Sequence, residues 1–420
     1  MSTSEWSSIS NFTTKVTYVP SNEEAKLLAT DKANSDFLGY SVAMDANGTR
    51  VVVGAYGKTV SGNGSAGALY VFTRSGSSWT QEAKITASPV GSGHYFGCAV
   101  DIDSTGTRIV AGAYQATTLG ITGAGQAYIF TSTGTTWAQE KQFIASDYAT
   151  NDYFGWAVCI DDAGSRAIVT ARLANTSGTT DAGKAYVFSR SGTTWTQEAI
   201  LSANDRTTND YFGHSVDITS DASRAIVGSM NHPVTGSAGA GASYIYSRAG
   251  SSWTQEAILT ASDKASGDAF GSSVSIASDG SRCVVGARIA DPGVNNAGKA
   301  YVFTRSGTTW TQEAILTAND KAADDFFGYS IAMSGDGSKV IIAAIGADPG
   351  GLSAAGAVYI FTRSGTSWGQ SSKVSASDKA ASDNFGCSVS ISSDGTRFIS
   401  GAYTADPSSI ANAGAAYIFV

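Results

Sequence analysis

Charge is what this chain has least of. Only 15% of its 420 residues are Asp, Glu, Lys or Arg, against about 25% in an ordinary soluble domain. The formal net charge is −8, so the clustered basic residues that phosphate binding requires are missing, and nucleic acid is excluded as the main partner. No apolar run approaches the roughly 18 residues of a membrane span, so membrane insertion is not expected. The three histidines, His94, His214 and His232, show no metal-ligand spacing and no HExxH pattern. No Gly-x-Ser-x-Gly elbow and no phosphate-binding glycine loop occurs. Neither a metal site nor a cofactor is expected, and catalysis has little support. The four cysteines are scattered over four different parts of the chain. They suit small buried apolar residues better than a disulfide framework. The first sixteen residues, MSTSEWSSISNFTTKV, lack the basic-then-apolar order of a secretory signal peptide. An extracellular, cell-surface or virion location is expected, reached without such a leader in this sequence.

What is abundant is glycine, with 48 residues against 6 prolines, and one unit about 58 residues long that recurs seven times. A Phe-Gly step, Leu-Gly in the first copy, has its glycine at Gly39, Gly97, Gly155, Gly213, Gly271, Gly328 and Gly386. A tyrosine follows each, from Tyr70 to Tyr417, and a tryptophan follows six of those, from Trp79 to Trp368. Self-similarity at fixed period is the signature of a propeller, solenoid or array.

The fifth copy shows what one unit builds. FGSSVSIAS alternates small and apolar residues, as a strand does. Asp279-Gly280 makes a hairpin turn, SRCVVGA a second strand, KAYVFTR a third and TWTQEAILTA a fourth. Four antiparallel strands per unit, seven times over, predict an all-β, seven-bladed β-propeller. The seventh copy reaches Val420 in its third strand with no WTQEA segment after it. The missing strand stands near the other terminus, where Glu24-Ala25-Lys26-Leu27 matches Glu256-Ala257-Ile258-Leu259 and Ser21 takes the tryptophan position. An N-terminal strand is therefore expected to complete the last blade and cover its open edge. The propeller domain is assigned to residues 17–420, and residues 1–16 to a tail or contact arm.

Phe-Gly, a strand, then Val-Gly-Ala, as in FGCAV…IVAGAY and FGSSV…CVVGAR, resembles the FG-GAP repeat of integrin α-subunit heads. The fuller pattern, with Asp-Gly-x-Arg, Ala-Tyr-Val-Phe and Trp-Thr-Gln-Glu, is similar to the bacterial and viral branch of those repeats. The resemblance covers residues from about 20 to 420. It implies the propeller fold and a place among adhesins, receptor heads, surface proteins and particle proteins. Integrin-type repeats often carry a calcium loop between strands one and two. Here that connection is a short turn such as DANGT or SDGSR, without room for the several oxygen ligands calcium takes.

In a propeller the connections between blades and the loops between strands two and three share one face. That face receives paired acids, from Asp31 and Asp36 to Asp378 and Asp383, and the opposite face receives turn arginines from Arg50 to Arg397. An acidic and a basic face are expected, although recurrent Asp residues most simply fix turns. The repeated Phe, Tyr and Trp are expected to pack between blades. Departures from the template are the candidate ligand-binding residues: His94 in place of an Asp, Trp156 and His214 immediately after Phe-Gly, with Asp152, Asp210 and His232 on the same face.

Three functions fit. The first is a non-enzymatic recognition module that binds a glycan or protein on the acidic loop face, in cell adhesion or host attachment. The second is a structural component of a virus particle or surface layer, with other subunits of that assembly as partners. The third is an enzyme using the central channel.

Overall fold

The computed structural model describes residues 21–420; the proposed tail lies outside them. Among the described residues, 28 strands form seven four-stranded antiparallel sheets arranged as the blades of a propeller. Blade one runs from its inner strand Leu38–Met44 through Arg50–Ala55 and Ala68–Ser75 to its outer strand Ser78–Ile85. Blades two to six repeat this order. Blade seven takes Val389–Ile391, Phe398–Ala402 and Ala415–Phe419 from the end of the chain, and its outer strand is Glu23–Leu27. That strand pairs antiparallel with Ala415–Phe419, Lys26 opposite Tyr417 and Leu27 opposite Ala416. The N-terminal strand closes the ring, as the sequence implied.

The core lies between the blades. Seven apolar clusters fill seven blade junctions, each drawn mainly from two neighbouring blades. Phe96 shows the pattern. It is fully buried, its backbone N–H donates to Ala66 of blade one at 3.1 Å, and its ring meets Tyr128 edge-on at 5.5 Å. Burying one such side chain contributes about 1.5–3 kcal/mol, and the arrangement recurs at Phe154, Phe212, Phe270, Phe327 and Phe385.

The glycines of the motif are contact points between blades. Gly97 has φ +84, the left-handed region that favours glycine. A Cβ on Gly54 of blade one would stand 2.1 Å from the Gly97 carbonyl oxygen of blade two. Ser41, two residues after the Gly39 of its own blade, donates its hydroxyl to that same carbonyl at 2.8 Å. Phe-Gly-x-Ser and Gly-Ala are thus two halves of one inter-blade latch. Cys98 and Cys387 reach the corresponding carbonyls of Gly155 and Gly39 through their sulfurs, and all four thiols are free.

A second latch lies near the rim. The Trp137 indole donates to Glu82 of the preceding blade at 2.8 Å, and Arg50 of that blade binds the same carboxylate at 2.8 Å. Trp195 with Glu140, Trp253 with Glu198, Trp310 with Glu256, Trp368 with Glu313 and Trp79 with Glu24 repeat it. Ser371 and Ser21 stand in the Glu and Trp positions of the junction between blades six and seven, so glutamate and tryptophan are lost there together. The turn arginines, expected to make a basic face, are therefore largely spent on carboxylates.

Candidate functional site

The inner strands of all seven blades surround a central channel holding a cavity of about 380 Å³. At one end, six backbone hydrogen bonds run from blade to blade. Ser393 donates to Ala46, Ala46 to Ser104 and Ser104 to Asp162; Ser220 donates to Ser278, Ser278 to Gly335 and Gly335 to Ser393, at 2.9–3.3 Å. They draw the hairpin turns together around the axis. In the wall, Asp101 accepts from the N–H groups of Ile102 and Ile160 at 2.9 and 2.8 Å. Asp217 accepts from Ile218 and Ile276, both at 2.8 Å. Ser275 and Ser390, at the same position in other blades, accept from Met333 and Met44. Burial pushes the Asp101 carboxyl up to about 8 and Asp217 up to about 6, against the N–H bonds that hold each down. Their oxygens serve to tie neighbouring blades.

The other end of the channel is a collar of aromatic rings, built from three positions per blade. One residue precedes the Phe-Gly step, one follows it, and one follows Gly-Ala at the end of the second strand. The first position has positive φ in all seven copies, as at Phe37, Tyr95, Tyr153 and Tyr211, so the chain swings sharply into each inner strand. In blade one these positions hold Phe37, Tyr40 and Tyr56. Phe37 stacks on Tyr56 at 5.1 Å, and Tyr40 meets Tyr56 at 4.5 Å and Tyr403 of blade seven at 5.4 Å. The chain of rings continues from Tyr56 to Tyr95, Tyr114, Trp156 and His214 with centroids 5.1–5.8 Å apart. Blade five interrupts it with Ala269 and Ser272, both buried, and Arg288 lies 5.2 Å from the Tyr329 ring of blade six.

Trp156 and His214, singled out in the sequence, are brought together here. The Trp156 indole donates to the His214 carbonyl at 3.2 Å. Arg172 lies over Trp156, 3.4 Å from its ring centroid, with Nη1 3.4 Å from His214 Nδ1. Burial, then Arg288 and Arg172, push the His214 imidazole down to about 3, so it is neutral. Arg172, Arg288, Tyr56 and Tyr114 were not picked out as candidates from the sequence. Comparing the residue after Gly-Ala across copies would have found them, since it reads Tyr56, Tyr114, Arg172, Met230, Arg288, Ile345 and Tyr403.

The other candidates sit apart. Asp210 is fully buried and accepts from the Thr207 N–H at 2.5 Å and from His232 Nδ1 at 3.0 Å. Burial opposes charge on His232, but Asp210 and Asp205 win and raise its affinity for a proton. Asp152 accepts from the Ala149 N–H at 2.7 Å, and burial raises its carboxyl above the usual range. His94 is half-buried in the connection between blades one and two, its ring packed over Gly91, and burial lowers its affinity for a proton.

The first acid of each pair is also a structural partner. Asp31 accepts from the Tyr70 hydroxyl at 2.7 Å and from Lys84 at 2.6 Å. The cation comes from one of three positions: the outer strand, as Lys373 for Asp320 and Lys26 for Asp378, the start of the third strand, as Lys184 for Asp147 and Lys299 for Asp263, or the loop before it, as His232 for Asp205. Where Pro89 replaces the acid, Gln126 takes the Tyr128 hydroxyl instead. The paired acids of this face are thus engaged within the fold, the first of each pair mostly by a cation and the second, as at Asp152, Asp268, Asp325 and Asp383, by a backbone N–H. Among the described residues no three His, Cys, Asp or Glu side chains are arranged to hold a metal ion.

A closed ring of seven blades, its junctions built from the Phe-Gly and Gly-Ala segments and their equivalents, defines a β-propeller of the FG-GAP kind. The FG-GAP repeat matches residues 21–72, 79–130, 137–188, 195–246, 253–303, 310–361 and 368–419, and the chain belongs to that family. Each matched unit begins in the outer strand of one blade and ends in the third strand of the next. That offset is what makes the N-terminal strand complete blade seven. Comparison with curated proteins finds no relative of this chain.

Proposed function

We propose that this propeller is a non-enzymatic recognition module acting in cell adhesion or host attachment, at a cell or virion surface, and that it holds a glycan or protein on the face of the inter-blade connections. The binding surface is the collar around the channel mouth, with the variable loops about it. The observation that carries this reading is the contrast between framework and collar. The latch residues mostly repeat from blade to blade, whereas no two copies carry the same set of three collar residues, and most of the collar's aromatic rings lie on blades one to four. Sites built on repeated scaffolds take their selectivity from such departures. Rings that are half-buried rather than packed away supply contact area at low entropic cost. The collar, rather than the paired acids, is the part of this face with unspent contacts.

The test is attachment of the purified protein to glycan arrays and to cell surfaces, with Trp156→Ala and Tyr114→Ala as collar variants. Loss of attachment by folded collar variants supports the reading. Retained attachment by both, with loss on reversing Arg50 and Arg108 on the opposite face, overturns it.

A further inference from the structure

Among the described residues, two cations at the channel mouth, Arg172 and Arg288, have no oxygen to bind. Elsewhere among the described residues the arginines are engaged: Arg190 with Glu140, Arg363 with Glu313, and Arg248 and Arg305 with the carbonyls of Ala222 and Gly280. Arg172 has only the Trp156 face, the more distant Tyr211 ring and one imidazole nitrogen, and its Nε is buried without a partner. Arg288 has the Tyr329 ring. Both act on His214, which sits in the blade between them. A guanidinium withdrawn from water without an acceptor is costly, and its planar fork matches a carboxylate. The phenols beside them are unspent as well. Tyr40, Tyr114, Tyr211 and Tyr329 donate to nothing among the described residues, whereas the core tyrosines Tyr70 and Tyr186 are bonded to Asp31 and Asp147.

We infer that the channel mouth is a subsite for a carboxylate-bearing sugar, its carboxylate held by Arg172 and Arg288 and its ring laid against Trp156 and the neighbouring tyrosines. This rests on the recognition reading above and names the ligand chemistry. A sugar offers C–H faces to aromatic rings and hydroxyls to unspent phenols, and an acidic sugar adds the anion. An extended peptide would look for free strand backbone, but N–H groups on the open edges of the inner strands are already capped by side chains of the neighbouring blade, as at Ile160 by Asp101, Ile276 by Asp217 and Met44 by Ser390.

The experiment is calorimetric titration of the intact protein with two probes, a hexuronate-terminated and a sialyl-terminated oligosaccharide, each beside its carboxyl-reduced counterpart. The expected result is binding of at least one acidic probe that weakens about tenfold for Arg172→Gln and for Arg288→Gln. The reduced probe should bind the unaltered protein about tenfold more weakly and be indifferent to both substitutions. Arg288→Gln keeps the test decisive if loss of the stack on Trp156 unfolds Arg172→Gln. Occupancy should also move the His214 imidazole resonances. Equal binding of acidic and reduced probes, or no binding of either acidic probe by the folded protein, overturns the inference. So does Arg-dependent binding of a Glu-rich peptide in preference to both sugars. The recognition reading survives these results if Trp156→Ala still abolishes attachment, and falls with them if it does not.

Discussion

Glu24 and Trp79 join the two ends of the ring. The Trp79 indole of blade one donates to Glu24 Oε2, in the outer strand of blade seven, at 3.1 Å. Arg74 and Arg397 bind the same carboxylate at 2.9 and 3.3 Å. Replacing Glu24 with Ala strands three donors, and the expected loss is about 1–3 kcal/mol. Removing residues 1–30 exposes the edge of the Ala415–Phe419 strand, and that protein should aggregate. Denaturant unfolding and light scattering check the two outcomes.

Gly54 faces the backbone of the next blade with no room for a methyl group. Gly54→Ala is expected to destabilise by about 1–3 kcal/mol through overpacking. Thr170 and Ala343 occupy the equivalent position in blades three and six, so Ala343→Gly should be much milder. Unfolding curves of the two variants decide between a packing constraint and a mere preference for glycine.

Acid should unfold the ring from below pH 4. Burial pushes the Asp31 carboxyl up, but Lys84 and Tyr70 outweigh it and bring it down to about 2. Asp147, Asp263, Asp320 and Asp378 are lowered in the same way. A carboxyl lowered by folding lends stability above its unfolded value, near 3.9, and withdraws it as pH falls towards its folded value. Melting temperature should therefore drop steeply between about pH 4 and 2. A flat profile over that range contradicts the pairing.

The channel carboxyls give the opposite slope. Asp101 and Asp217 titrate higher in the fold than unfolded, at about 8 and about 6, so their cost grows as pH rises from about 4 through those values. Serine caps the same backbone position in blades five and seven. Asp101→Ser should be more stable than the parent by about 1–4 kcal/mol at pH 8, and nearly equal to it at pH 4. Thermal melts at the two pH values check this.

The fold was legible because seven copies repeat the same strands, turns and latches, so each copy supports the reading of the others. The closing strand was legible for the same reason, as EAKL stands in register with EAIL. The site was legible only where it broke that register. Trp156 and His214 stood out beside an otherwise fixed Phe-Gly step. Arg172 and Tyr114 did not, because the residue after Gly-Ala reads as the start of a loop already variable in sequence. The charges misled for a physical reason. Lys26, Lys184 and Lys299 reach their Asp partners from different strands, and Glu82 or Glu140 meets its arginines across strands or blades. Sequence spacing alone does not display such pairs.

The central claim is that template residues hold the ring while departures from the template bind. It is tested most directly by measuring attachment and melting temperature together for two tryptophan variants. Trp310→Ala, at the Glu256 latch, should lower the melting temperature and leave attachment intact. Trp156→Ala, at the collar, should abolish attachment and leave the melting temperature within a few degrees of the parent. The reverse pattern, or loss of attachment in both variants while both stay folded, would contradict the account.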